Sequence, residues 1–153
     1  MKFLELKIPP VLLMMIFAAI MWLSKDISTP MILSSQLTII MTLLFCFLGT
    51  IVVAAGVIAF KKAKTTVDPT KPESSASLVS SGVYQYTRNP MYLGFSCWLM
   101  ALCFYAANPL LIGFVVLFIF YLDTFQISPE ERMLEKLFGQ AYLDYCQQVR
   151  RWI

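Results

Sequence analysis

Four apolar runs constrain this chain more than anything else in it. Residues 8–23, 37–60, 91–107 and 110–126 contain no Lys, Arg or Glu, and Asp123 is the one acid among them. Each run approaches the roughly 20 residues that an α-helix needs to cross a bilayer. At 153 residues, 59% of them hydrophobic, with a mean hydropathy of +0.72, the chain is too apolar for a soluble domain. The reading is an all-α integral membrane protein with four transmembrane helices and a C-terminal cytoplasmic amphipathic helix, folded as a single domain. Residues 8–60 supply two N-terminal spans, and 61–153 form a core of loop, helical hairpin and final helix.

Lys2 and Lys7 precede the first run as they would in a secretory signal. No small-x-small cleavage pattern follows Leu23, so the run is read as a membrane helix. Orientation follows from the basic residues. Of the twelve Lys and Arg, only Lys25 falls on the side of the loop after helix 1; the rest lie in the termini and in 61–90. The positive-inside rule then puts both termini and that loop in the cytoplasm. This bias also accounts for the net charge of +3, which gives no reason to invoke nucleic acid. Cys46, Cys97 and Cys103 lie within apolar runs and Cys146 in the tail, with no C-x-x-C pair, so neither a disulfide framework nor a metal site is indicated. Histidine is absent, which removes imidazole as ligand, base or nucleophile activator.

The basic stop Lys61-Lys62-Ala63-Lys64 ends the second run. Residues 65–81 are rich in Ser, Thr and Pro and read, by composition, as a flexible linker. Asn89 suits an N-cap and Pro90 the first position of helix 3. Asn108-Pro109 repeats the device, so helices 3 and 4 form a tight antiparallel hairpin. Ser128-Pro129-Glu130-Glu131 matches a capping box that starts the last helix. Met133, Leu134, Leu137, Phe138, Ala141, Tyr142, Tyr145 and Val149 form one stripe at helical spacing along it. Gly139 interrupts that stripe at a cost of roughly 1 kcal/mol relative to Ala, which predicts a break or a close approach there.

Taken singly, the polar residues have ordinary explanations. Arg88 serves as an interfacial anchor, Asn89 as a cap, and Glu131 as the third member of the capping box. Tyr84, Tyr86, Tyr92, Tyr142 and Tyr145 suit an aromatic belt. Their convergence is not ordinary. Because the hairpin turn is short, Arg88, Asn89 and Tyr92 must lie near Glu130 and Glu131. Carboxylates bind hydroxyl or ammonium groups, a helix N-terminus holds an anion, and aromatic faces attract a sulfonium. Those demands together describe S-adenosylmethionine.

The string from Gly82 to Gly94, with Arg88-Asn89-Pro90-Met91-Tyr92 and Gly94, resembles the signature of the isoprenylcysteine carboxyl methyltransferase and phospholipid methyltransferase family of integral membrane enzymes. So does the tail, with Glu130-Glu131, Leu134, Phe138-Gly139, Tyr142, Tyr145, Val149 and Arg151-Trp152. Thr65 to Pro69, Lys71 to Glu73 and Leu78-Val79 resemble bacterial members, which implies a bacterial inner-membrane location and a 65–81 loop folded over the site. The resemblance further implies a cytosol-facing S-adenosylmethionine pocket with a lateral opening for a lipid-like acceptor. Tyr84, Arg88, Asn89, Pro90, Tyr92 and Gly94 would line one side of the cofactor. Glu130 and Glu131 would hold its polar groups, with Arg88 and Glu130 nearest the chemistry. Asn89 departs from the histidine of eukaryotic prenylcysteine enzymes, which weakens transfer of that substrate but not of the cofactor. Two other classes compete: an NADPH-dependent membrane reductase of the sterol-reductase type, for which the chain shows no spare basic cluster to hold the extra phosphates, and a non-enzymatic membrane adaptor.

Overall fold

The computed structural model describes residues 5–27, 33–63 and 78–153. Their regular structure is helical: α1 (Pro10–Leu23), α2 (Ser35–Lys62), α3 (Pro90–Tyr105), α4 (Leu111–Tyr121), α5 (Ser128–Phe138) and α6 (Gln140–Gln148), with a 3-10 turn at Gly82–Gln85 before α3. No strand occurs among the described residues.

Two helical stretches are long and apolar enough to cross a membrane, α2 and the continuous helix Leu111–Phe138, each of 28 residues. At 1.5 Å rise per residue each extends about 42 Å. The expectation of four such helices is met only in part. α1 and α3 are apolar but have 14 and 16 residues, or about 21 and 24 Å. The first and third apolar runs therefore overstate helix length: Pro9 and Pro10 hold back the start of α1, and Ala107 leaves α3 with a positive φ of 48°.

The core lies where α1, α3 and α4 meet. Leu13, Met21, Leu99, Cys103, Leu111, Val115, Phe118, Leu122 and Ile127 are all buried there, and Phe17 meets Phe118 edge-on with centroids 5.4 Å apart. α2 packs on the outside of α3 through glycines. A Cβ on Gly94 would strike the Val53 side chain and come within 2.8 Å of the Gly49 carbonyl, and a Cβ on Gly49 would lie 2.8 Å from the Gly94 carbonyl. The remaining surface of α2 and α4 exposes Ile39, Leu43, Phe47, Val116, Leu117 and Phe120, a belt that suits lipid rather than water.

The hairpin turn forms, although α4 begins at Leu111 with Leu110 at its N-cap position, two residues beyond the start expected at Pro109. Asn108 is buried, its Oδ1 accepts from the Leu110 N–H at 2.9 Å, and its Nδ2 donates to the Lys25 carbonyl at 2.7 Å. At α3, Asn89 and Pro90 take the N-cap and first helical positions as expected, but without a side-chain cap bond. The Asn89 backbone N–H donates to Thr87 Oγ1 at 3.2 Å. The capping box at Ser128 does not form because no helix begins there. The chain runs from α4 into α5 through a π-helical turn, Leu122–Ile127, and Ser128 Oγ donates back to the Asp123 carbonyl at 2.7 Å. A π turn widens the ring and leaves carbonyls for other partners. The Phe125 carbonyl accepts from the N–H of Leu6 at 3.1 Å, and Glu5 pairs with Arg132 at 2.6 Å, so the N-terminal segment straps this junction.

Gly139 does break the final helix. With φ 54° and ψ −126° it separates α5 from α6, a conformation open essentially to glycine. The single stripe predicted across the two helices is therefore divided. Tyr142, Tyr145 and Val149 are buried against Leu134, Phe138 and Leu78, whereas Leu137 and Ala141 are exposed.

Candidate functional site

The site is assembled at the end of the hairpin away from the Asn108 turn, where the segment before α3, the π turn, α5 and the tail after α6 converge. Its centre holds two adjacent carboxylates that face different partners. Glu130 Oε1 accepts from the Tyr92 hydroxyl and from Gln126 Nε2, both at 2.6 Å. Tyr92 and Gln126 are buried at 5% and 2% exposure, so this carboxylate is fixed by two rigid donors. Both bonds fall on one oxygen.

Glu131 faces the arginines. Its Oε1 lies 3.0 Å from Arg88 Nη2 and accepts from Arg151 Nε at 3.2 Å; its Oε2 accepts from Arg151 Nη2. Arg151 Nη1 in turn donates to both oxygens of Asp123, at 3.0 and 3.1 Å. Side-chain exposures of 14% for Arg88 and 18% for Glu131 make this a partly desolvated pair, where charge-assisted bonds are worth more than on an open surface. Pairing with Glu131 and then Asp123 pushes the Arg151 guanidinium above its usual range, against the opposing effect of burial.

The backbone closes the same ring. The Arg151 carbonyl accepts from Asn89 Nδ2 at 2.9 Å and Thr87 Oγ1 at 3.4 Å, and the Arg150 carbonyl accepts from the Arg88 N–H at 3.1 Å. From the N-cap position of α3, the Asn89 side chain thus clamps the tail and makes no cap bond. Tyr145 donates its hydroxyl to the Tyr84 carbonyl at 2.7 Å, and Tyr84 meets Phe60 edge-on at 5.4 Å. Burial pushes the phenols of Tyr84, Tyr142 and Tyr145 far above the usual range, with the Tyr145 hydroxyl and the Glu130 carboxylate adding to the effect at Tyr84. All three stay protonated near neutral pH.

Arg88, Asn89, Tyr92, Glu130 and Glu131 are therefore brought together, but with a changed pairing. The arginine expected beside Glu130 bonds Glu131, and Glu131, expected to be engaged in a capping box, is free to bridge two guanidinia. Pro90 is buried at the first turn of α3. Gly94 faces Gly49 and Val53 of α2, so its packing against that helix accounts for it. The part of the 65–81 loop that was expected to cover the site, residues 65–77, lies outside the described residues; Val79 packs on Ala59 and Tyr84.

Three participants were missed from sequence: Gln126, Asp123 and Arg151. A lone acid at the end of an apolar run carried a signal, because an ionisable group near the membrane is costly to keep without a partner. Gln126 stands four residues before Glu130, on the same helical face. That relation was obscured by starting a new helix at Ser128. Arg151 stands in the tail motif without a role of its own, since by charge alone it matches the other positive-inside residues.

One donor in this network is left over. Arg88 Nε is buried and has no hydrogen-bond partner among the described residues. A buried unpaired N–H is uncommon and calls for an acceptor. A site offering that donor, a carboxylate with one oxygen uncommitted among the described residues, and buried tyrosines fits a ligand with both anionic and cationic groups. Metal binding has no comparable support: no cluster of three His, Cys, Asp or Glu occurs among the described residues.

Protein-S-isoprenylcysteine O-methyltransferase of Saccharomyces cerevisiae is 40% identical over 83 residues, covering 52% of this chain and 34% of that protein. Protein-S-isoprenylcysteine O-methyltransferase B of Arabidopsis thaliana is 34% identical over 104 residues, covering 67% and 52%. An uncharacterised protein of Haemophilus influenzae is 41% identical over 63 residues, 41% of this chain and 100% of that one. The chain spans between about a third and half of the length of the two named methyltransferases. No solved structure matches it. The family described as Phospholipid methyltransferase matches residues 37–141, the stretch that carries α2, the hairpin and both glutamates, and the chain belongs to that family.

Proposed function

We propose that this protein is a four-span membrane methyltransferase that uses S-adenosylmethionine to methylate a lipid-like acceptor at the cytoplasmic face. The observation that carries the reading is the ring formed by Arg88, Tyr92, Gln126, Glu130, Glu131 and Arg151 at the mouth of an apolar hairpin, in a chain of a methyltransferase family.

The residues fit the cofactor. The unpaired Arg88 Nε–H suits the carboxylate of its methionyl group. The Glu130 oxygen not engaged by Tyr92 and Gln126 suits the ammonium or the ribose hydroxyls. When bound, S-adenosylmethionine supplies an electrophilic methyl group on a sulfonium. The chain's contribution is then orientation and exclusion of water. Tyr92 and Gln126 fix Glu130, Arg151 and Arg88 fix Glu131, and the apolar helices shield the mouth. Holding two reactants in line supplies on the order of 7–11 kcal/mol of a barrier in favourable cases, so no covalent enzyme intermediate is needed. A carboxylate or thiolate acceptor needs no base. An amine acceptor would lose a proton, and Glu130 is the group in place to accept it.

The acceptor's tail is taken to enter from the bilayer, which the exposed belt on α2 and α4 supports. Purified protein in lipid nanodiscs is titrated separately with S-adenosylmethionine and NADPH, then incubated with radiolabelled methyl donor and extracted membrane lipids. Binding of the donor and label in the lipid fraction are expected. Binding of NADPH alone would favour a reductase, and binding of neither ligand an adaptor.

A further inference from the structure

The guanidinium of Arg151 is a strongly held charge to which the proposed chemistry assigns no ligand. It spans Asp123 on the π turn and Glu131 on α5, while its own carbonyl is clamped by Asn89 and Thr87 ahead of α3. One tail residue thus ties together the three segments that build the site.

Its effect on Arg88 is specific. A carboxylate with a single arginine partner favours a two-point, fork-to-fork pairing that would engage the guanidinium on two nitrogens. Glu131 does not pair in this way. Arg151 takes Oε2 and shares Oε1, so Glu131 reaches Arg88 only through Nη2 at 3.0 Å. Arg88 Nε is left buried and unpaired among the described residues. Arg151 also offsets the negative charge of Glu131 and Asp123, so the positive charge of Arg88 remains available to an incoming anion.

We infer that Arg151 is a positioning residue: by occupying Glu131 it keeps the Nε face of Arg88 open for the carboxylate of the methyl donor. This rests on the methyltransferase reading above. The inference predicts selectivity between ligands, which a merely structural role would not produce. S-adenosylhomocysteine carries the amino-acid carboxylate, whereas 5′-methylthioadenosine keeps the nucleoside and lacks it.

Affinities of both are measured by calorimetry on the full chain in nanodiscs, for the wild type, Arg151→Gln, Arg151→Lys and Asp123→Asn, with melting temperatures recorded in parallel. Arg151→Gln frees Glu131 to close on Arg88 and should weaken S-adenosylhomocysteine about tenfold, the loss expected for one charge-assisted bond. Binding of 5′-methylthioadenosine should change less than about twofold on the same basis. Arg151→Lys keeps the charge without the planar fork and should recover part of the loss. Asp123→Asn removes only the outer anchor, so it tests the same selectivity in a milder background should Arg151→Gln fail to fold. Equal weakening of both ligands in the folded variants, or a fall in melting temperature with both affinities intact, would overturn the inference. A wild type that binds neither ligand would overturn the proposed function together with it.

Discussion

Glu130 and Glu131 are neighbours in sequence with separate tasks, because successive helical residues point about 100° apart. Glu130 turns toward α3 and meets Tyr92 and Gln126; Glu131 turns toward the tail and meets Arg88 and Arg151. Glu130→Gln keeps a carbonyl for the two donors at Oε1 and removes the charge at the second oxygen. It should leave the protein folded and weaken S-adenosylmethionine by about ten- to a hundredfold, the equivalent of roughly 1.5–3 kcal/mol for a hydrogen bond to a charged group. Glu131→Gln leaves two guanidinia without a full counter-charge, so it should reduce stability by a similar roughly 1.5–3 kcal/mol as well as affinity. Calorimetric titration beside thermal unfolding separates the two. Unchanged affinity in both variants would remove the glutamates from the cofactor site. At this scale the sequence brought the right residue types together, but it misassigned the pairing. A capping box is a local pattern, and Ser128-x-x-Glu131 satisfies it; only the uninterrupted helix arriving from α4 shows that there are no orphan N–H groups there to cap.

At the level of elements, the π turn and two glycines set the geometry. The π turn lets α4 continue into α5 while the Phe125 carbonyl takes the N–H of Leu6, and it carries Asp123 and Gln126 into the site. Gly94 allows α3 to approach α2 so closely that any side chain there would meet backbone. Gly139 turns α6 back so that Tyr145 reaches the Tyr84 carbonyl. Space around Gly139 is open, so Gly139→Ala tests the backbone conformation alone. It should lower stability by about 1–3 kcal/mol, read as a lower melting temperature in detergent. An unchanged melting temperature would mean that the α5–α6 corner relaxes freely. The break at Gly139 was legible, since glycine interrupts an otherwise continuous apolar stripe. The π turn was not: nothing in Leu122 to Ile127 distinguishes a 3.6-residue turn from a wider one until outside partners for the freed carbonyls are known.

For the whole molecule, the membrane orientation is the property with the widest consequences, because the cofactor proposed above is cytosolic and requires a site on the cytoplasmic face. Ser81 and Asp26 are exposed beyond opposite ends of the helices. In a background lacking Cys46, Cys97, Cys103 and Cys146, Asp26→Cys should react with an impermeant maleimide on intact cells, and Ser81→Cys only after lysis. The reverse pattern would invert the topology and remove the cytosolic site. What the sequence determined by itself was class: apolar runs free of Lys, Arg and Glu imply helices in lipid, and a short Asn-Pro turn implies that the ends of a hairpin meet. Those inferences rest on burial and chain geometry, which depend on nearby residues. Tertiary structure alone decided which carboxylate meets which guanidinium, that Asn89 clamps the tail, and that Arg151 enters the site. Such pairings join residues between 20 and 64 positions apart in the chain, and they depend on rotations of whole helices that no local pattern encodes.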